Sequence, residues 1–167
     1  MLTLLASFEQ NALSVWVRES PSLLAFPFIL YLHTLGLAML AGINVGLDFW
    51  LLARKAVPSF DLKGIYRIMW LGFGVNLLSG LTLLAAYPAK ALTNWVFFAK
   101  LTLVVIALWV LERLKGELLV AEGAGTRELS LRARRLALLS LFVWAGTIFA
   151  GRYLAYTHHI LLASEGL

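Results

Sequence analysis

The stretch FILYLHTLGLAMLAGINVGLDFWLL, residues 28–52, decides the fold. It is apolar almost throughout, and His33, Asn44 and Asp48 are its strongly polar interruptions. A hydrocarbon core of about 30 Å is crossed by ~20 helical residues. The run is long enough to span, and it lacks the strict alternation of a barrel strand.

Working outward, three more stretches share this character. The spans are expected at about Leu23–Ala53, Ile65–Tyr87, Trp95–Leu114 and Leu136–Ala163. Ser20 and Pro21 read as a cap and first-turn pair for the first span. Of the 167 residues, 61% are hydrophobic and 14% charged. Soluble domains carry about 45–50% apolar and about 25% charged residues. With a mean hydropathy of +0.85, the chain reads as an all-α integral membrane four-helix bundle. Cysteine is absent, which excludes disulfides, thiolate metal sites and cysteine nucleophiles.

The net charge of +5 does not point to nucleic acid, because the basic residues cluster between spans. The first connection carries Arg54, Lys55, Lys63 and Arg67, and the third carries Arg113, Lys115, Arg127, Arg132, Arg134 and Arg135. The second has only Lys90. The positive-inside rule then places both termini outside, an N-out/C-out topology. The short second connection predicts that the second and third spans are antiparallel neighbours. In the third connection, GAGT breaks the helix, and Thr126 is expected to cap one that runs through the arginines. That arm reads as solvated rather than as a binding site.

Residues 1–20 lack a basic start and an unbroken apolar core, so they do not read as a signal peptide. Leu5, Phe8, Ala12 and Trp16 recur at helical spacing, which predicts a short interfacial amphipathic helix ahead of the 21–167 membrane domain. A disordered lead is the plainer alternative.

An ionisable side chain at mid-bilayer costs about 2.5–3.5 kcal/mol on insertion scales. The polar residues of the spans must therefore face the interior, reach the interface or bind something. At about 100° per residue, His33 and Asn44 lie on one face. Gly72, Asn76 and Gly80 share another, as do Arg152, Tyr156 and His159, with His158 pointing away. Depth along the helices assembles His33, Asn76, Lys100, Arg152, Tyr156 and His159 into one candidate pocket in the outer half. Asp48 stands apart near the inner end, where Arg54 or Lys55 is its expected partner. Plainer roles compete: His33 as an interhelical hydrogen bonder, Lys100 snorkelling outward, Asn76 as packing glue, and Gly42 with Gly46 as a close-approach pair within the bundle or between copies.

An imidazole in a four-helix membrane bundle is a natural axial ligand for haem iron, so His33 is the metal-binding candidate. Lys100 and Arg152 would neutralise the propionates, and the glycines would let the macrocycle approach the backbone. No C-x-x-C-H is present, so such a haem would be b-type. A quinone polarised by His33 and Arg152, or a metal ion in transit, are the other occupants considered.

The segments LHTLGLAMLAGINVGLDFWLL, GFGVNLLSGLTLLAAYPAKALTNWVFFAKLTLVVIAL and SLFVWAGTIFAGRYLAY resemble, in order, the core of an uncharacterised bacterial four-helix membrane family. The likeness runs from about Phe28 to Tyr156. It rests most on His33, on F-x-x-K at Phe97–Lys100 and on G-R-x-x-A-Y at Gly151–Tyr156. More distantly, the chain resembles HemJ-type protoporphyrinogen oxidases and CopD-like membrane domains. The HemJ likeness implies a haem b near His33 and Lys100; the remaining HemJ pattern is not matched. These likenesses imply a multi-pass protein of the bacterial inner membrane. The expected function is electron transfer by haem b, with quinone as a second candidate cofactor. The alternatives are a non-catalytic subunit or anchor of a larger membrane complex and a CopD-like metal permease. Expected partners are the lipid bilayer, a redox partner or larger complex, and a second copy of the chain in a homo-oligomer.

Overall fold

The computed structural model describes residues 8–154, 156 and 157. The helices are α1 Ala12–Glu19, α2 Phe26–Leu37, α3 Ile43–Arg54, α4 Leu62–Ala86, α5 Pro88–Leu92, α6 Trp95–Gly123 and α7 Leu131–Tyr153. A π-helical turn, Ala38–Gly42, joins α2 to α3, so Phe26–Arg54 is one continuous rod of 29 residues. Four helices are long and apolar enough to cross a membrane: Phe26–Arg54, Leu62–Ala86, Trp95–Gly123 and Leu131–Tyr153. No strand occurs among the described residues; one isolated bridge pairs Ala56 with Glu128.

Local chemistry sets the helix starts. The Asp61 carboxylate accepts from Gly64 N at 3.0 Å, Asn94 Oδ1 from Val96 N at 2.9 Å and Ser130 Oγ from Ala133 N at 3.0 Å. Each satisfies a donor that the first turn leaves orphaned. Four expectations are corrected here. The first rod begins at Phe26 with Pro27 in its first turn, not at the Ser20–Pro21 pair. Ser130, not Thr126, caps α7, because residues 127–129 are committed to a pairing with the first connection: Val57 N donates to Arg127 O at 2.8 Å and Leu129 N to Lys55 O at 3.1 Å. Helix α6 runs to Gly123, well past Leu114, because Leu114 and Leu118 are fully buried and extend its packed face. At the other end, α7 stops at Tyr153 rather than running on to Ala163.

Two close helix pairs build the bundle, α2 with α4 and α6 with α7, and α3 packs on α7. The first pair is a backbone contact. A Cβ added at Gly36 would sit 2.5 Å from Asn76 N and 2.7 Å from Gly72 O, and one at Gly72 would sit 2.6 Å from Met39 Cβ. The second pair is a seam of side chains. Ala133, Ala137, Ser140, Trp144 and Thr147 on α7 follow four–three spacing, and so do Ala107, Leu111, Leu114 and Leu118 on α6. The second and third spans, expected to be antiparallel neighbours, meet through long side chains: Trp70 Nε1 donates to Glu112 Oε1 at 3.0 Å, and Lys115 Nζ lies 5.5 Å from the Tyr66 ring centroid. The glycines that allow close approach lie on α4's other side, toward α2.

Helix α1 docks on the far end of α4. Ser14 Oγ donates to Ala85 O at 2.8 Å and Arg18 Nη1 to Ala86 O at 3.1 Å, so α1 supplies partners to the carbonyls that end α4. Ser14 and Val17 form its buried side, while Phe8, Leu13 and Trp16 stay exposed.

Gly36→Ala and Gly72→Ala should each destabilise the bundle by about 1–3 kcal/mol, since the new methyl group meets backbone or a Cβ that cannot give way. Gly42→Ala and Gly74→Ala, where a Cβ meets nothing within 4 Å, should be neutral or slightly stabilising. Reversible denaturation in detergent micelles, followed by circular dichroism, measures the difference.

Candidate functional site

The α2–α4 contact positions His33. Its Nδ1 lies 3.0 Å from Asn76 O and 3.3 Å from Ser79 Oγ. A carbonyl oxygen can only accept, so Nδ1 carries the proton and donates. The single Ser79 hydroxyl proton points to helix carbonyls, Val75 O at 2.6 Å and Asn76 O at 3.1 Å, which leaves Oγ to accept from the imidazole. In return, Asn76 Nδ2 donates to His33 O at 2.7 Å. Gly80 leaves room for the ring: a Cβ there would stand 3.1 Å from His33 Cε1. In the neutral ring this fixes one tautomer, with the Nε2 lone pair outside these bonds. Nε2 has no hydrogen-bond partner among the described residues.

Lys100 sits at the same end of the bundle, about 8 Å along α6 from Trp95. Its charge is close enough to act on the His33 imidazole. Its stem runs along α7, where a Cβ at Gly151 would be 3.5 Å from Lys100 Cε. Its ammonium has no hydrogen bond or ion pair among the described residues. Arg152 and Tyr156 are exposed, Tyr156 at 80%, and neither is hydrogen-bonded to His33, Asn76 or Lys100. His159 and His158 lie outside the described residues. The structure therefore brings His33, Asn76 and Lys100 to one end of the bundle, and it adds Ser79, which the sequence reading omitted. Ser79 falls three residues after Asn76, on the same helix face; that spacing was the available signal.

The glycines do not serve a macrocycle in the way the sequence suggested. Gly36 and Gly72 are filled by each other's helix and Gly80 by the His33 ring. Gly42 and Gly46 are exposed and meet nothing within the bundle.

A second polar cluster lies toward the basic end. Asn44 and Asp48 are both fully buried. Asn44 Nδ2 donates to Asp48 Oδ2 at 3.1 Å, and Asn44 Oδ1 accepts from Trp144 Nε1 at 2.9 Å and from Ser140 Oγ at 3.5 Å. The expected Asp48 pairing with Arg54 or Lys55 does not form: no cation lies within ion-pair distance of Asp48 among the described residues. Nor do His33 and Asn44 address the same neighbour, since His33 meets α4 and Asn44 meets α7. The π turn between them accounts for this. A turn closed one residue later acts as an inserted residue and rotates the following helix by about 100°.

An apolar cavity of about 450 Å³ lies between α3 and α7, lined by Val45, Phe49, Leu138, Leu141, Phe142, Ala145 and Ile148. It receives none of the six candidate residues. Comparisons with protein-family models, curated proteins and solved structures return no match for this chain.

Asn44→Ala should cost about 1–3 kcal/mol, because it strips the partner from both the Trp144 indole and the Asp48 carboxyl. Ser140→Ala, which leaves the Asn44 bonds to Trp144 and Asp48 in place, should cost less than half as much. Paired denaturation curves of the two variants check the ranking.

Proposed function

We propose that this chain is a small multi-pass protein of the bacterial inner membrane, N-out and C-out, that holds a b-type haem at His33. In this reading it serves one-electron transfer, with a quinone as the exchanging partner. The observation that supports it most is the fixed His33 tautomer. Metal-ligating histidines typically donate the second ring N–H to a carbonyl, carboxylate or water, and here Nδ1–H is held by Asn76 O and Ser79 Oγ. The residues present fit the group at that one position.

His33 Nε2 would ligate the iron. Lys100, part-buried at the same end and lacking an anionic partner among the described residues, would neutralise a propionate, with Arg152 further out. When bound, the haem supplies one-electron redox chemistry. The chain's own contribution is to keep the proton on Nδ1, to hold the ring plane through the α2–α4 contact, and to leave its Nε2 side unbonded. A quinol hydroxyl donating to the same nitrogen is the alternative use of this geometry.

A second reading has its own support. Gly42 and Gly46 stand exposed beside Val45 and Phe49 of the apolar cavity, a close-approach surface that the bundle itself leaves unused. That arrangement suits a non-catalytic subunit or anchor, or a homo-oligomer, packing helix on helix. No feature of this kind favours a metal permease: no group of three metal-ligating side chains occurs among the described residues.

The absorption spectrum of the purified chain tests the haem reading. A Soret band is expected, abolished by His33→Ala and shifted or weakened by Gly80→Ala, whose methyl group crowds the ring. Lys100→Ala should retain the band with several-fold weaker haem retention. A colourless chain, after growth with ample haem and with His33 intact, overturns the reading, and co-purification of a stoichiometric partner would then support the second.

A further inference from the structure

The Asp48 cluster poses a problem that its hydrogen bonds do not solve. Asp48 lies about 9 Å inside the basic end of the first rod, in a helix read as membrane-spanning. It is fully buried, and Oδ1 has no hydrogen-bond partner. The hydroxyl of Tyr66, on α4, is likewise buried without a partner, and Tyr66 is only 2% exposed. The two helices are in contact, and Tyr66 packs in one apolar core with Leu47 and Leu51, which flank Asp48 on α3. Two buried oxygens, one on each helix, are thus left without partners. An unpaired carboxylate in such a place costs several kcal/mol, and carboxylates in membrane interiors mark ion or proton sites by default.

The surroundings supply no compensating charge. On its own helix Asp48 meets neutral Asn44, and Arg54 and Lys55 form no ion pair with it. From α7 come Ser140 and Trp144, both neutral, which bond to the Asn44 amide beside it. From α4 comes Tyr66, and next to Tyr66 are Glu112 and Lys115 of α6, with Lys115 Nζ 5.5 Å from the ring centroid. Those two pair with each other at 3.3 Å, and their side chains are 45% and 29% exposed. Tyr66 thus packs against an ion pair that reaches the surface at the basic end.

We propose that Asp48 is an intramembrane binding site for one monovalent cation, completed by Tyr66 and reached from the Glu112–Lys115 edge. The shared chemistry is a single positive charge on hard oxygen donors. It is carried either as a proton that forms an O–H bond at Oδ1 or as a sodium ion held among the carboxyl, phenol, amide and hydroxyl oxygens. No divalent metal is called for, since only one carboxylate is present. This site lies in the opposite half of the first rod from His33 and does not rest on haem binding.

The test is linkage. The full chain in lipid nanodiscs is unfolded at a series of pH values, with sodium or with N-methylglucamine as the only bulk cation. Above the dissociation constant, each tenfold rise in the bound cation should raise the wild-type folding constant by about tenfold. Dependence on pH alone identifies the proton; dependence on sodium at alkaline pH identifies the metal. Asp48→Asn, which keeps shape and removes the charge, should abolish the dependence while leaving the chain folded. Tyr66→Phe should retain the slope and move its midpoint several-fold. If Asp48→Asn does not assemble, the Tyr66→Phe midpoint decides the question. Identical cation dependence in wild type and in both variants overturns the proposal.

Discussion

Gly36 and Gly72 set the distance between α2 and α4, and the rest of the polar architecture depends on that distance. In a bilayer the lipid tails are as apolar as leucine, so helices associate by packing and interhelical hydrogen bonds. With no Cβ at either position, the two backbones come close enough for Asn76 Nδ2 to reach His33 O and for His33 Nδ1 to reach Asn76 O. Each residue donates from its side chain to the other's main chain. A histidine that would otherwise be a desolvated liability becomes a fixed ring with one committed nitrogen.

The four spans were legible because their signal is mean apolarity over about twenty residues, which no tertiary contact can disguise. The face Gly72–Asn76–Gly80 was also legible, because α4 is regular and four-residue spacing maps directly onto geometry. The α6–α7 seam is written in the four–three spacing from Ala133 to Thr147, which places Trp144 in the core. What failed was local inference about partners. Asp48 was matched to Arg54 and Lys55 by nearness in sequence, yet Arg54 lies about 120° round the helix and Lys55 ends it in a left-handed conformation, φ 54°. Thr126 had the chemistry of a cap, but the segment after it is held by backbone bonds to the first connection, a pairing between residues some seventy positions apart.

The candidate pocket was half legible for a related reason. Depth along the helices puts His33, Asn76 and Lys100 at the same end, since each is near the start or middle of a regular helix. Phase becomes unreliable where a helix ends. Arg152 and Tyr156 sit at and just past the last turn of α7, where the chain leaves helical geometry, and both are exposed. His159, to which the helix was extrapolated, lies outside the described residues.

The π turn at Ala38–Gly42 makes the first rod more than a spacer. A uniform α-helix would present His33 and Asn44 to the same neighbour, and one seam would have to satisfy an imidazole, an amide and a carboxyl together. The inserted residue rotates the second half of the rod, so α2 gives its polar face to α4 while α3 gives its own to α7. Each half then finds a complementary partner: glycines and a serine on α4 for the imidazole, a serine and an indole on α7 for the amide. The carboxyl is the exception. Asn44 spends its amide N–H₂ on one oxygen of Asp48, and no helix supplies a donor to the other. Fully buried and without a donor, that second oxygen calls for a charge from outside the chain.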